Sequence, residues 1–171
     1  WNSIQPAKDK VYISYDSTNK KCQAGDIEIV EPGHSKSGMT DTIFNCSVVY
    51  DVNNREPLLY EEYPGSITDV TQLQCMLQKM KSFGYEHAGF ILDRGYFSKE
   101  NIHYMDNNGY DFVMMVKGMK TAVKEYVKSV QGSFEDNYAN RIYTYGVSGT
   151  TIESTFLPND KNNRYIHVYY N

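Results

Sequence analysis

The stretch HAGFILDRGYFS, residues 87–98, decides the fold class. Its first part, HAGFILD, is a short and continuously apolar run that ends in Asp93, which is typical of a strand buried on both faces of a sheet. Ser98 is placed to cap a helix that runs to Met105 and ends at the Asn108–Gly109 pair. A buried strand that leads directly into a helix predicts an α/β protein.

The segments on either side of this stretch continue the same alternation. Before it, a helix is predicted between a cap at Thr68 or Asp69 and a stop at Gly84. Its apolar residues recur at helical spacing and are Val70, Leu73, Leu77, Met80 and Phe83. After it, DFVMMVK, residues 111–117, predicts a second buried strand, and residues 121–130 predict a third helix.

The earlier part of the chain predicts three strands. KVYISYDS, residues 10–17, alternates apolar and polar side chains and places Asp16 at the carboxyl end of its strand. Residues 43–50 and 57–63 predict a hairpin, because the DVNNRE segment between them carries two Asn residues that favour a turn.

The composition changes after Gly132. Three Tyr- and Thr-rich segments follow, separated by polar turns: residues 142–145, 151–156 and 165–170. Their alternation suits a sheet with one face in water, so we expect antiparallel β structure outside the main sheet. We therefore place a domain boundary after Val130, with a β/α core in residues 1–130 and a β-rich segment in residues 131–171.

Length and composition set the outer limits. The chain has 171 residues, of which 40% are hydrophobic, enough for one domain with an appended lobe. No apolar run reaches the roughly 18 residues of a membrane-spanning helix and no signal peptide is visible, so we expect no membrane contact. The chain begins at Trp1 and ends inside a strand-like run, from which we expect a piece of a longer protein.

Three cysteines, Cys22, Cys46 and Cys75, are odd in number and lie far apart in the sequence. A disulfide framework is therefore not expected. We expect free thiols in a reduced compartment, the cytoplasm. A zinc site that combines the cysteines with His34 matches no common ligand spacing.

The net charge of −4 is concentrated in the middle of the chain. Residues 41–116 carry five basic and eleven acidic side chains, a net charge of −6. Such a segment is not typical of a protein that binds the backbone of nucleic acids. It suits either a site that gathers cations or a solvated acidic surface.

Asp16 and Asp93 carry the candidate chemistry, because each follows a strand that is predicted to be buried. α/β folds place ligands at the carboxyl edge of the sheet, and carboxylates that converge there repel until a hard divalent cation relieves them. Mg²⁺ or Mn²⁺ could then activate water and clamp a phosphodiester between two metal ions. The alternative is that each Asp only caps a turn or the start of a helix.

Five motifs, in this order, resemble those of one enzyme family. They are Asp16-Ser17-Thr18, Gly33-His34-Ser35-Lys36, the YPGSITD segment of residues 63–69, Asp93-Arg94-Gly95-Tyr96-Phe97-Ser98 with Glu100-Asn101, and Asp111-Phe112-Val113-Met114. Ser66 replaces the usual Asn of the third motif, and His34 stands in an aromatic position of the second. With the order of strands and helices, the motifs resemble the DDE domain of bacterial insertion-sequence transposases.

The resemblance implies a fold and a reaction. The fold is a ribonuclease H-like mixed sheet flanked by helices, and the tail is the start of an inserted β-rich segment. The reaction is cut-and-paste transposition, in which water attacks the DNA backbone at the element's end and the freed 3′-hydroxyl attacks target DNA. Asp16 and Asp93 would be the catalytic, metal-binding residues of a two-metal site for Mg²⁺ or Mn²⁺. The partners would be transposon ends and target DNA in the bacterial cytoplasm, with a homodimer left open for the full-length complex.

The third carboxylate of the family does not carry over. In the family it is a Glu on a late helix, in a Y-x-x-R-x-x-x-E arrangement. Tyr138 and Arg141 match its first half, but Tyr145 stands in the place of the Glu, and Glu153 falls in a strand pattern. We therefore expect the Glu beyond Asn171, and we expect this chain alone to bind metal weakly and to cleave no DNA.

The role of Arg94 and the function of the whole chain each have alternatives. The Arg94 guanidinium could contact a DNA phosphate, or it could form a salt bridge with an acidic neighbour. The chain could be a truncated or domesticated relative that binds DNA or protein without catalysis, which the incomplete set of carboxylates and the acidic charge favour. A nuclease or another phosphodiesterase on the same fold is the third alternative.

Overall fold

The computed structural model describes residues 11–34, 40–85, 87–157, 160 and 162–171. The chain divides into two compact units between Lys117 and Gly118. Each unit has its own sheet, with six strands in the first and three in the second. No helix of the described residues is long and apolar enough to cross a membrane.

The first unit contains a mixed sheet. Its strands are β1 (Val11–Lys21), β2 (Glu31–His34), β3 (Thr40–Asp51), β4 (Glu56–Pro64), β5 (Ala88–Leu92) and β6 (Asp111–Met114). β3 pairs antiparallel with β1 along one side and with β2 and β4 along the other, so the predicted β3–β4 hairpin is confirmed. β5 is parallel to both β1 and β6. This order, β4-β3-β1-β5-β6, confirms the expected ribonuclease H-like mixed sheet.

Two helices cover one face of this sheet. α1 (Asp69–Ser82) begins at a Thr68 cap and α2 (Lys99–Asn107) begins at a Ser98 cap, as the sequence predicts. Their buried residues join alternate residues of the strands in one core, which includes Ile13, Tyr15, Val49, Leu73, Met76, Leu77, Met80, Phe90, Leu92, Tyr96 and Met105. The other face stays open to water even at apolar positions, and Tyr12, Val48 and Ile91 are 40–44% exposed there.

β1 is longer than its alternation predicts, and Asp16 is therefore not at a strand end. The strand continues to Lys21, because its pairing with β3 extends to Lys21 opposite Ile43. Its parallel partner β5 ends earlier, at Leu92 opposite Tyr15. Asp16 thus lies within β1, where that strand passes beyond the end of β5, and its predicted place at the carboxyl end is wrong.

β6 is shorter and more exposed than the buried strand predicted over residues 111–117. Among the described residues it pairs with β5 alone and forms an edge of the sheet. Phe112 and Met114 pack against the core, whereas Val113 on the open face is 62% exposed. The apolar run therefore does not correspond to burial on both faces, because only one face of this edge is covered by helices.

The second unit combines one helix with an antiparallel sheet. Its elements are α3 (Lys120–Val130), β7 (Arg141–Ile142), β8 (Val147–Ser154) and β9 (Arg164–Tyr170). The Tyr126 hydroxyl donates a hydrogen bond to the Thr155 carbonyl oxygen at 2.8 Å, and its ring stacks on Phe156 with 6.0 Å between centroids. The predicted antiparallel β structure outside the main sheet is confirmed, although Tyr143–Tyr145 forms a 3-10 turn rather than a strand.

The compact units divide before α3, whereas the predicted domain boundary follows α3 at Val130. Packing explains the difference, because Tyr126 joins α3 to residues next to β8 within the second unit. The extent of the catalytic core, residues 1–130, and of the inserted segment, residues 131–171, stays a prediction.

Gly33 and Gly65 fix the place where β2 and β4 meet along β3. β2 pairs with β3 as far as Ile43, and β4 begins its pairing at the next residue of β3. A Cβ atom on Gly65 would lie 2.2 Å from the Ile43 carbonyl oxygen, and one on Gly33 would lie 2.2 Å from the Gly65 carbonyl oxygen. Two of the family-like motifs thus meet backbone to backbone; Ser35 and Lys36 of the second motif lie outside the described residues.

Gly65→Ala is expected to lower the free energy of unfolding by about 1–3 kcal/mol, because the added methyl group can be accommodated only by moving β2 or β3 backbone. Gly25→Ala is the matched control, since Gly25 is exposed and nothing lies within 4 Å of its Cβ position. Urea unfolding followed by circular dichroism measures both. Equal midpoints for the two variants would show that the junction is not tightly packed.

Candidate active site

Asp16 lies within β1, and Asp93 directly follows β5, the strand that runs parallel to β1. β1 and β5 run parallel, and their last paired residues are Tyr15 and Leu92. Asp16 and Asp93 come next in each segment, so they follow the last paired residues of two adjacent parallel strands, as convergence at one edge of the sheet requires. Tyr15 and Leu92 are buried in the core, and side chains alternate along extended chain, so both exposed Asp side chains belong to the open face.

Each carboxylate accepts a hydrogen bond from the backbone N–H of the next residue. Asp16 Oδ1 accepts from Ser17 at 2.8 Å, and Asp93 Oδ1 accepts from Arg94 at 2.6 Å. Asp93 thereby caps the 3-10 turn Arg94–Tyr96, as the alternative interpretation of this residue predicted. These two hydrogen bonds occupy one oxygen of each carboxylate, and within the described residues the two Oδ2 atoms make no hydrogen bond.

The donor chemistry of this pair fits a hard divalent cation. Mg²⁺ is typically bound by one or two carboxylates, with water and substrate phosphates completing its shell. The described part of the chain contains no group of three His, Cys, Asp or Glu side chains that could hold a metal ion. Asp16 and Asp93 are two carboxylates of the kind that Mg²⁺ takes as ligands, and their binding of a metal ion stays a prediction.

Arg94 is exposed directly after Asp93. No carboxylate among the described residues pairs with its guanidinium. Of the two roles that the sequence left open, a salt bridge with a carboxylate is not seen among the described residues, and contact with a phosphate stays a prediction.

Glu153, the weak candidate for a third carboxylate, lies in the second unit. It is exposed on β8, as its strand pattern predicts, and its Oε1 atom accepts a hydrogen bond from Asn163 Nδ2 at 3.2 Å. Tyr138 and Arg141 lie in a 3-10 turn and in β7, so the partial Y-x-x-R match is not on a helix.

Asn101 holds the turn that follows Asp93. Its side chain is fully buried, and its amide nitrogen donates to the carbonyl oxygens of Val70 and Tyr96 at 2.9 and 3.0 Å. Its amide oxygen accepts from Gln74 Nε2 at 3.0 Å. The turn is thereby tied to α1, a role of Asn101 that its place in a motif does not predict.

A row of buried polar side chains crosses the covered face of the sheet behind the two carboxylates. Ser17 on β1 lies opposite Ser47 on β3, and Ser47 lies opposite Glu61 on β4. All three are at most 8% exposed. Glu61 accepts hydrogen bonds from Gln72 Nε2 at 3.2 Å and from Lys79 Nζ, so its buried charge is compensated by α1.

Three buried tyrosines lie beside this polar row. Tyr15, Tyr63 and Tyr96 are at most 4% exposed, and burial raises the pKa of each phenol well above its ordinary value. The Asp69 carboxylate raises the same three pKa values further, because its negative charge opposes formation of a phenolate. Tyr63 also donates a hydrogen bond to Asp69 Oδ1 at 3.0 Å.

Asn101→Asp is expected to lower the free energy of unfolding by about 2–3 kcal/mol, because it replaces an amide donor with a carboxylate facing the Val70 and Tyr96 carbonyl oxygens. Asn107→Asp makes the same chemical change at an exposed position of α2 and is expected to cost less than about 1 kcal/mol. Denaturant unfolding compares the two. A similar loss in both variants would show that helix charge, rather than the buried network, is responsible.

Stability is expected to fall as the pH rises above about 10, the ordinary tyrosine pKa. The three phenols have raised pKa values in the folded state, so the unfolded chain loses their protons first and is favoured by alkali. Tyr63→Phe should reduce the slope of the unfolding free energy against pH by the equivalent of about one proton. Tyr138→Phe, at a residue that is 86% exposed, should leave it unchanged. Unfolding curves recorded from pH 9 to pH 12 measure the slopes, and identical slopes for both variants would contradict the assignment.

Several solved structures resemble this chain weakly. A Mos1 transposase paired-end complex with the left transposon end is 10% identical, with a TM-score of 0.40, over 75% of this chain and 44% of that chain. A simian T-cell lymphotropic virus intasome in complex with the PP2A regulatory subunit B56 gamma is 12% identical, with a TM-score of 0.42, over 79% of this chain and 44% of that chain. The N-terminal RNase H domain of rv2228c from Mycobacterium tuberculosis is 10% identical, with a TM-score of 0.33, over 65% of this chain and 86% of that chain. The chain thus spans less than half the length of the first two.

No curated protein matches the chain. The family model of the transposase DDE domain, in contrast, matches residues 9–166. The matched range contains both candidate aspartates and all five motifs that resemble the family. Because the match extends over most of the chain, the protein belongs to the transposase DDE domain family.

Proposed function

We propose that this chain is part of the catalytic domain of a DNA transposase that cleaves and joins DNA strands with divalent metal ions. A transposase-type function follows from membership of the family. The finer proposal rests on the placement of Asp16 and Asp93 directly after the last paired residues of two neighbouring parallel strands. Transposon ends and target DNA are the proposed substrates, and Mg²⁺ or Mn²⁺ is the proposed cofactor.

Asp16 and Asp93 would hold the metal ions through their carboxylate oxygens. When bound, such ions lower the pKa of a coordinated water and offset the charge that develops on a phosphodiester under attack. Asp16 is held within β1, which at this point pairs with β3. Asp93 lies beyond the end of β5, and its turn is held by Asn101. Arg94 would contact a DNA phosphate and orient the strand against the two carboxylates.

The negative charge of the first unit has a consequence for how DNA would bind. Residues 41–116 carry a net charge of −6, so without cations the unit would repel a DNA backbone. Bound divalent ions would reverse the local sign at Asp16 and Asp93. DNA affinity should therefore depend on the metal.

A homodimeric arrangement of the full-length protein on DNA stays a prediction.

A non-catalytic relative that binds DNA or protein is the second candidate function. The observation that favours it is the lack, among the described residues, of a group of three side chains that could hold a metal ion. Two carboxylates bind a divalent ion weakly, since affinity grows with each added anionic oxygen. The two candidates differ in whether a third carboxylate restores strand cleavage.

Asp16→Asn and Asp93→Asn are each expected to remove most of the weak Mn²⁺ binding of this chain, because each takes away one of two charged ligands. Electron paramagnetic resonance of free Mn²⁺ measures the bound fraction. Asp26→Asn is the matched control, because Asp26 is exposed in a turn and the substitution removes the same charge. The same bound fraction in all four proteins would exclude the Asp16–Asp93 pair as the metal site.

The 171-residue chain is expected to leave a labelled transposon-end duplex intact in Mn²⁺, because the described residues form no group of three side chains that could hold a metal ion. A reading frame extended through a helix that bears a Glu is expected to nick the duplex, and Asp93→Asn in that longer chain should abolish nicking. Gel analysis of the labelled strand gives the result. Continued absence of nicking in the longer chain would support the non-catalytic candidate, and nicking that survives Asp93→Asn would contradict the proposed mechanism.

A further inference from the structure

We propose that the rings of Tyr15 and Tyr96 form a positioning pair that sets the spacing of Asp16 and Asp93. The inference rests on the proposed function for its purpose, but the geometry that supports it is independent of any metal. Tyr15 immediately precedes Asp16, and Tyr96 follows Asp93 by three residues. Each tyrosine therefore moves with the aspartate of its own segment.

The two rings are in direct contact behind the site. Their centroids are 4.9 Å apart, their planes are inclined by 42°, and each residue is 1% exposed. Aromatic pairs in this distance range attract one another beyond the effect of burial alone. Because a tyrosine ring has only two side-chain torsions and is closely packed here, the contact transmits the position of one segment to the other.

The ring contact lies where the backbone contact stops. β1 and β5 are joined by pairing from Val11 opposite Ala88 to Tyr15 opposite Leu92, and no pair follows. Asp93 therefore has no backbone link to β1, although it must stay beside Asp16 if both are to bind one metal site. Tyr96 restores a link one turn later, from the covered face of the sheet.

Neighbouring elements hold the backbone of both tyrosines in place. On the Tyr96 side, Asn101 Nδ2 donates to the Tyr96 carbonyl oxygen at 3.0 Å and to the Val70 carbonyl oxygen of α1 at 2.9 Å. On the Tyr15 side, β3 pairs Val49 with Tyr15 in the sheet. The rings are thus held between α1 and the central strands rather than at a loose end of the core.

The ring contact of this pair does not depend on the two hydroxyl groups. Neither hydroxyl makes a hydrogen bond of regular geometry within the described residues, although Ser47 lies near that of Tyr15 and Ser17 lies near that of Tyr96. Burying a poorly bonded hydroxyl is unfavourable, so phenylalanine would pack at lower cost. The ring contact itself, which Phe retains, is the part that the positioning role requires.

A disulfide across the site measures the spacing directly. Asp16→Cys and Asp93→Cys are combined in a chain whose Cys22, Cys46 and Cys75 are replaced by Ala; neighbouring strands lie about 4.8 Å apart, within disulfide reach. The equilibrium with glutathione gives the effective concentration of one thiol at the other. Tyr96→Leu should lower it about two- to tenfold, the range that corresponds to the energy of an aromatic pair. Tyr96→Phe should restore it to the parental value.

Leu77→Ala is the control for general loosening of the core, because Leu77 is fully buried on α1 in the same cluster. It should destabilise the protein without changing the effective concentration. Tyr15→Leu removes the ring contact from the other strand, so the test does not depend on the folding of one variant. An effective concentration that is unchanged in the two Tyr→Leu variants, or lowered equally by Leu77→Ala, overturns the proposal.

Mn²⁺ affinity, measured in the same variants with both aspartates restored, separates this inference from the proposed function. Tyr96→Leu should weaken Mn²⁺ binding, and Tyr96→Phe should not. If Asp16→Asn and Asp93→Asn leave Mn²⁺ binding unchanged, the proposed function fails, but the disulfide result still decides whether the ring pair sets the spacing. If the disulfide equilibrium responds to neither Tyr→Leu variant, the ring pair fails whatever the metal result.

Discussion

The parallel pairing of β1 with β5 is the interaction on which both the core and the candidate site depend. Within the described residues it is the one strand pairing that joins the four strands β1–β4 to β5 and β6. It ends at Tyr15 and Leu92, while β1 continues along β3. Beyond this point β1 remains paired with β3, whereas the chain after β5 enters the Arg94–Tyr96 turn, and each segment carries an aspartate at its first position past the shared pairing.

The support behind these aspartates is more polar than a core of this size requires. Ser17, Ser47 and Glu61 form a buried row, and tyrosine hydroxyls lie beside it. Buried polar groups cost free energy unless they are hydrogen-bonded, and here α1 supplies part of the compensation through Gln72 and Lys79. The same helix buries Leu73, Met76 and Leu77. α1 therefore has two functions in the first unit: it closes the apolar core and it neutralises the polar layer under the site.

Local signals in the sequence were enough to predict the hairpin, α1, α2 and the presence of a strand at β5, although the predicted burial of β5 on both faces is wrong, since Ile91 is 41% exposed. These features depend on caps, turns and periodicity within a few residues. The length of β1 and the exposure of β6 could not be predicted in this way, because they depend on which strands lie alongside. The role of Asn101 was also missed, because its partners Val70 and Gln74 are far away in the sequence. The one signal in the sequence was the place of Asn101, three residues after Ser98, in a family-like motif. Such a motif does not say which groups a side chain contacts.

The parallel pairing also has a consequence for the order in which the chain folds. β1, β3 and β4 are consecutive or nearly so, and β3 and β4 are joined by a tight turn at residues 52–55. Tyr15 and Leu92 are separated by 77 positions in the sequence, so their pairing closes a long loop of chain. This loop contains all of α1. Loop closure of this length is entropically unfavourable and slow compared with hairpin formation. We expect β1, β3 and β4 to gain protection from hydrogen exchange before β5 does. Pulse labelling during refolding can follow this order. The arrangement of Asp16 and Asp93 would then be among the last parts of the unit to become native, and nascent or partly folded chains would lack it.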